Sequence, residues 1–318
     1  MQSSFRILST GTCLPEQRLS NTDIKNTLNA AVDPGWVEQK LGIRERRIAD
    51  HGTETSDLAA AAINDVLGNA EISPQSVDLL ILATASPDRQ APATACHAQY
   101  KAGLHEAVAY DISAVCCGFL FALTAAAAAL SSGQARRAIV VGADMFSRVT
   151  DWQRRDCVFF GDGAGAVLLE AANSRYARES FFDAELFTDG HHSEAFVIEK
   201  EAPYFRMDGP AVFKAASTAV PRCIRQLLQR NHLTSDDIDI VIPHQPSHSL
   251  LREIAWQSGI PFQKFQTNMD RYANTAGATI PIMLHETLAN GRIKKGDHLL
   301  FAAAGAGFTA GAAIHQWH

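Results

Sequence analysis

Two adjacent thiols, Cys116 and Cys117, head the stretch AVCCGFLFALTAAAAAL at residues 114–130, which carries no charge. They follow an apolar strand pattern and open a helix for which Gly133 supplies a C-cap. A thiol at a helix N-terminus faces unpaired backbone N–H groups and the positive end of the dipole, and both favour thiolate. That field is worth about 0.3–1 kcal/mol, up to about 2 in partly buried geometry, which lowers a cysteine pKa by about one and a half units at most. A nucleophile here therefore needs a further partner. Free cysteines are commonly small buried hydrophobes, and that reading stays open for both. Successive residues at a helix start point about 100° apart, so at most one of the two faces a given cleft.

A base is available at His244, which ends the apolar run IVIPHQPS just after Pro243 blocks further ladder pairing. The C-terminal end of a parallel strand is where open α/β sheets build their sites. The other histidines, such as His191 and His192 in a polar loop, read as surface or satisfied groups. Asn274, in the turn-rich run RYANTAGATIP, reads as a cap or turn residue until something connects it to the others. Two glycine-rich runs, FGDGAGA and GAGFTAG, lack the spacing of a dinucleotide fingerprint or a phosphate loop. Close backbone approach to a buried site, with amide N–H groups presented to an oxyanion, stays open for them.

The elements that must position these residues repeat along the chain. ISPQSVDLLILATAS (72–86) and LTSDDIDIVIPHQPS (233–247) share a polar start, an aspartate at 78 and 239, and an apolar run ending in serine. Each follows an alanine-rich helical pattern. Near-continuous apolar strands alternating with helices indicate parallel sheets covered on both faces. Two related α/β halves follow, residues 1–172 with the thiols and 173–318 with the histidine and asparagine. The helix opening at Cys116 then belongs to a shared central layer. That explains the absence of charge from Ile112 to Ala135 better than a membrane span does, since Ser113, Thr124, Ser131, Ser132 and Gln134 interrupt it.

With 318 residues the chain can bury a large core, and a formal charge of −6 offers no general attraction for nucleic acid. Six cysteines without paired spacing fit a reducing cytoplasm better than a disulfide framework, and the N-terminus shows no export signal.

Taken together, GIRERRIA (42–49), VDLLILATASPD (77–88), YDISAVCCGFLFAL (110–123), AIVVGAD (138–144), FGDGAGAVLL (160–169), IPHQ (242–245), YANTAGATIP (272–281) and GAGFTAG (305–311) resemble the thiolase superfamily. The resemblance is most specific to its β-ketoacyl-acyl carrier protein synthase III group. It implies a duplicated, five-layered αβαβα fold and a homodimer. Asp111, Cys116, Gly118 and Phe119 match the family pattern around the acyl-accepting cysteine, leaving Cys117 in the variable place. His244 and Asn274 complete a Cys, His, Asn triad, with the backbone N–H groups of Cys116 and Ala306 as the oxyanion hole. Trp36, Lys40, Arg155, Gly209 and Lys214 match positions that receive coenzyme A or a carrier protein; Ala91, Phe160 and Met207 match the acyl pocket. The implied chemistry is acyl transfer to Cys116 from acyl-CoA or an acyl carrier protein, then decarboxylative condensation with a malonyl-type thioester. It needs no cofactor and no metal.

The chain departs from that pattern at its portal. The family commonly continues PHQ with Ala-Asn-x-Arg, where this chain has Pro246, Ser247, His248 and Ser249. Where initiating enzymes often place a bulky aromatic reaching in from the partner subunit, this chain has Ala91, which implies a primer larger than acetyl. An alternative keeps the Cys116 acyl-enzyme but delivers the acyl group to an oxygen or nitrogen nucleophile; retention of Asn274 weighs against it.

Overall fold

A computed structural model describes residues 5–27, 32–172, 181–199 and 201–318. The first sheet is built from β1 (Phe5–Cys13), β2 (Leu79–Ala83), β3 (Val108–Ile112), β4 (Arg137–Met145) and β5 (Asp162–Ala171), in the order β1-β5-β4-β2-β3. The second contains β6 (Phe182–Thr188), β7 (Ile240–Pro243), β8 (His298–Gly305) and β9 (Thr309–Gln316), in the order β7-β8-β9-β6. The expected division after residue 172 abuts residues 173–180, which lie outside the described residues.

The helices complete five layers. Outside the first sheet lie α2 (Thr55–Ala70) and α3 (Thr94–Lys101), reached after α1 (Pro34–Leu41); between the sheets lie α4 (Gly118–Ser131) and α7 (Thr279–Ala289); outside the second lie α5 (Gly209–Arg230) and α6 (His248–Ser258). This is the duplicated, thiolase-like αβαβα arrangement. The central position of α4 accounts for its composition. It packs against strands of both sheets, and Phe119, Leu120, Ala122, Leu123, Ala126, Ala127 and Leu130 are all buried. Its Thr124 hydroxyl is satisfied internally, donating to Leu120 O at 2.7 Å. Gly133 ends the helix at φ 74°. Among the described residues no helix is long and apolar enough to cross a membrane.

The paired aspartates of the repeat do the same work in each half. Asp78 accepts the backbone N–H groups of Arg136 and Arg137 at 2.7 and 2.9 Å, where β4 begins, and Asp239 accepts that of His298 at 2.8 Å, where β8 begins. The expectation of purely parallel sheets is corrected. β2 runs parallel to β3 and β4, and β7 parallel to β8, but β5 is antiparallel to β1 and β4, and β9 to β8 and β6. The glycine-rich run FGDGAGA leads into the single strand β5, reached from β4 without an α-helical crossover, and β8 returns as β9 through a short turn; neither link enforces parallel pairing.

Candidate active site

Cys116 lies in a 3₁₀ turn, Val115–Cys117, between the end of β3 and the start of α4. The turn is entered with Val115 at φ 48°, a left-handed conformation that β-branched residues rarely adopt. It separates the two thiols. Cys116 lines a cavity of about 520 Å³ and is 9% exposed. Cys117 is fully buried in the packing between the sheets, its Sγ 3.8 Å from Ala303 O.

Burial pushes the Cys116 thiol up to about 12; the nearby Asp144 carboxylate adds to the rise, and a hydrogen bond with Asn274 opposes both. These effects outweigh the helix-start effect of at most about one and a half units, so the resting group is a thiol. Alkylation of Cys116 by iodoacetamide should then rise about tenfold per pH unit between neutrality and pH 10. A plateau near neutral pH would instead reveal a resting thiolate.

His244 follows the last residue of β7, where its backbone N–H donates to Ala302 O at 2.8 Å and continues the ladder one step beyond Pro243. The imidazole is buried and lines the same cavity, with Nδ1 2.8 Å from the Thr279 hydroxyl at the start of α7. Burial lowers its pKa to about 3, so the ring is neutral at physiological pH.

Asn274 is stitched to the first half. Its N–H donates to Phe159 O and its carbonyl accepts from Gly161 N–H, both at 3.0 Å. The side-chain Oδ1 accepts the Ala276 N–H at 2.8 Å, which fixes the amide with Nδ2 as the donor edge turned to Cys116. Close backbone approach explains two glycines. A Cβ on Gly142 would stand 2.1 Å from Gly277 O, and one on Gly305 would stand 2.8 Å from Cys117 N. The first lets the Asn274 turn reach the first sheet, and the second lets the end of β8 reach the nucleophile turn.

The structure gathers Cys116, His244, Asn274, Ala306, Trp36, Lys40, Gly209, Phe160 and Met207 around one cavity. Ala306 lies in the turn between β8 and β9. Lys214 is exposed on α5 and Ala91 is exposed in the loop before α3; neither lines the cavity. Arg155 is also outside the lining and stacks on Trp36 instead, its Cζ 4.7 Å from the ring centroid.

The portal serines and histidine are already engaged. Ser247 caps α6 by accepting Leu250 N–H at 3.2 Å, Ser249 donates to Lys40 O at 2.8 Å, and His248 packs over Gly42, where a Cβ would stand 2.7 Å from its ring. Sequence reasoning missed Val212, Phe213 and Ala216 of α5 and Ile254 of α6, which form an apolar wall of the cavity. It also missed Thr279 beside His244, and Asp144, whose signal was a single carboxylate ending the apolar run AIVVGAD.

Two family profiles match the chain: 3-oxoacyl-[acyl-carrier-protein] synthase III over residues 110–190, and the C-terminal part of the same family over residues 228–317. A β-ketoacyl-[acyl-carrier-protein] synthase III of Brucella melitensis is 38% identical over 316 residues, covering 96% of this chain and 97% of the relative. One from Rhizorhabdus wittichii is 38% identical, covering 98% of each. Among solved structures, the 3-oxoacyl-[acyl-carrier-protein] synthase III of Aquifex aeolicus superposes with a TM-score of 0.92 at 35% identity, covering 98% of this chain and 100% of that one. A priming β-ketosynthase of the R1128 polyketide pathway superposes at 0.91 with 25% identity, covering 99% and 97%. The five layers, the cavity shared by thiol, imidazole and carboxamide, and these full-length likenesses agree that the chain belongs to the 3-oxoacyl-[acyl-carrier-protein] synthase III family of thiolase-fold acyltransferases.

Proposed function

We propose that the protein condenses an acyl group larger than acetyl, held on Cys116, with a malonyl-type thioester to give a β-ketoacyl product. The observation that carries this reading is the convergence of Cys116, His244 and Asn274, from three separate elements, on one largely apolar cavity. Both thiol and imidazole are neutral at rest, so activation consists of proton transfer to His244 as the sulfur adds to the acyl carbonyl. Backbone N–H groups of Cys116 and Ala306 hold the oxyanion, and the carrier thiol leaves. In the second step the malonyl carboxylate departs as carbon dioxide. N–H donors from Asn274 and from protonated His244 hold the enolate oxygen while its carbon attacks the acyl-enzyme. A neutral carboxamide suits that place, because a carboxylate would repel the developing charge.

The carrier is proposed to be coenzyme A or an acyl carrier protein, received by Trp36, Lys40, Arg155, Gly209 and Lys214. Since Ser247, His248 and Ser249 are engaged within the fold, these groups carry more of the recognition than in relatives with an Asn and an Arg at the portal. A homodimer working in the cytoplasm completes the reading. Strand β3 is an edge strand exposing Val108 and Tyr110, and Asp111 on it accepts the N–H groups of Thr94 and Ala95, at 2.7 Å each, which places the Ala91 loop beside that edge. Phe146, Phe160, Phe196 and Phe205 pack against one another beside Cys116, in stacked and edge-to-face pairs.

Acyl transfer is tested by the mass added to Cys116 from thioesters ranging from acetyl to dodecanoyl. Longer or branched acyl groups should load best, and exclusive loading of acetyl would contradict the primer assignment. Condensation is tested by carbon dioxide release from a malonyl thioester, which Asn274→Ala should slow about 100-fold. Normal loading of Cys116 without any such release would favour transfer to an oxygen or nitrogen nucleophile.

A further inference from the structure

Thr279 stands where a single hydroxyl decides which nitrogen of His244 carries the proton. Its Oγ1 is 3.0 Å from Ala276 O, a carbonyl that can only accept, so the threonine proton is committed there. The same oxygen lies 2.8 Å from His244 Nδ1 and must then accept from it. Both residues are buried, at 2% and 4% exposure, so water does not compete for this contact. The threonine rotamer is held by its β-branch and by its bond to the carbonyl three residues back. With Nδ1–H turned to Thr279, the lone pair of Nε2 is left for the cavity that His244 lines.

We propose that Thr279 is a positioning residue that locks His244 in the Nδ1–H form, so that all proton traffic of both reaction steps runs through Nε2. This rests on the condensing reading given above. During loading, the Cys116 S–H proton moves to Nε2, the sulfur–acyl bond forms, the acyl–carrier sulfur bond breaks, and the Nε2 proton leaves on the carrier thiol. During condensation, the one proton that the reaction consumes enters from solvent at Nε2, donates to the enolate oxygen, and ends on the Cys116 sulfur as the new carbon–carbon bond displaces it. The Nδ1 proton never leaves Thr279.

Thr279→Val keeps the shape and removes the acceptor. A buried Nδ1–H would face a methyl group, so the ring shifts to the Nε2–H form, which can donate but cannot take the thiol proton. Loading of Cys116 should fall about 100-fold at neutral pH. Carbon dioxide release from a malonyl thioester, measured with Cys116→Ala in both backgrounds, should stay within about threefold, and Thr279→Ser should restore loading. Nitrogen NMR of the otherwise wild-type protein provides a readout independent of the variant's folding: His244 should show a protonated Nδ1 and a bare Nε2. The reverse pattern, or a parallel fall of loading and release in Thr279→Val, would overturn the assignment. A wild-type protein that neither loads nor releases carbon dioxide would instead overturn the condensing reading itself.

Discussion

Cys116→Ala is expected to abolish acyl-enzyme formation, with loading from any acyl thioester reduced on the order of 10⁴-fold or more, while Cys117→Ala loads normally. The two residues are neighbours in sequence but not in environment. Only Cys116 meets the cavity that His244 and Asn274 also line. Cys117 has no exposed surface and packs in the apolar layer between the sheets. Removing its sulfur costs about 1 kcal/mol of stability, the scale of one buried methylene, and leaves the turn in place. Intact-protein mass spectrometry after exposure to an acyl thioester reads both variants directly. Acyl mass on Cys116→Ala, or its loss from a folded Cys117→Ala, would reverse the roles of the two thiols.

The division between these cysteines was open in the sequence to the extent of a rule, that one of two adjacent residues can face a cleft. The rule did not say which, and the family pattern supplied the choice. The duplicated layers were legible because burial on both faces demands apolar strands, and because Asp78 and Asp239 mark the same strand start in each half. Strand direction was not legible. An apolar run such as AVLLEA reads the same whether its neighbour is parallel or antiparallel, and only the length of the connection decides. The cavity wall was hidden for a similar reason. Val212, Phe213 and Ala216 belong to an amphipathic helix, and its apolar stripe does not distinguish packing against a core from lining a void. The portal residues were legible as a departure, but their internal engagement depends on contacts between α1 and α6 that span some 200 positions of chain.

The same limit applies to Asp144, a carboxylate with no exposed surface that joins the halves at the nucleophile. Its Oδ1 accepts from Thr84 Oγ1, Ala85 N, Ser86 N and Ser86 Oγ at 2.8–3.1 Å, and its Oδ2 from Gly277 N at 2.8 Å. Burial raises its pKa to about 6 against the pull of these donors, so it is ionised at neutral pH. Asp144→Ala would take this acceptor from five donors, of which the Ser86 N–H keeps an alternative in Thr84 Oγ1 at 3.1 Å, at a cost of about 3–5 kcal/mol, measurable as a lower denaturant midpoint. Asp144→Asn separates that cost from function. Its amide oxygen can keep the Oδ1 contacts, but its NH₂ would face the Gly277 N–H, donor against donor, and push away the turn that carries Asn274. Carbon dioxide release from a malonyl thioester should therefore fall about 10- to 100-fold in a variant that remains folded. The thiol should respond in the opposite direction. Asp144 holds the Cys116 pKa up by its charge, so neutralising it lowers that pKa and speeds alkylation at neutral pH. A variant with slower condensation and faster alkylation identifies the carboxylate as the clamp between the two halves of the site; unchanged alkylation would remove its charge from the account of Cys116.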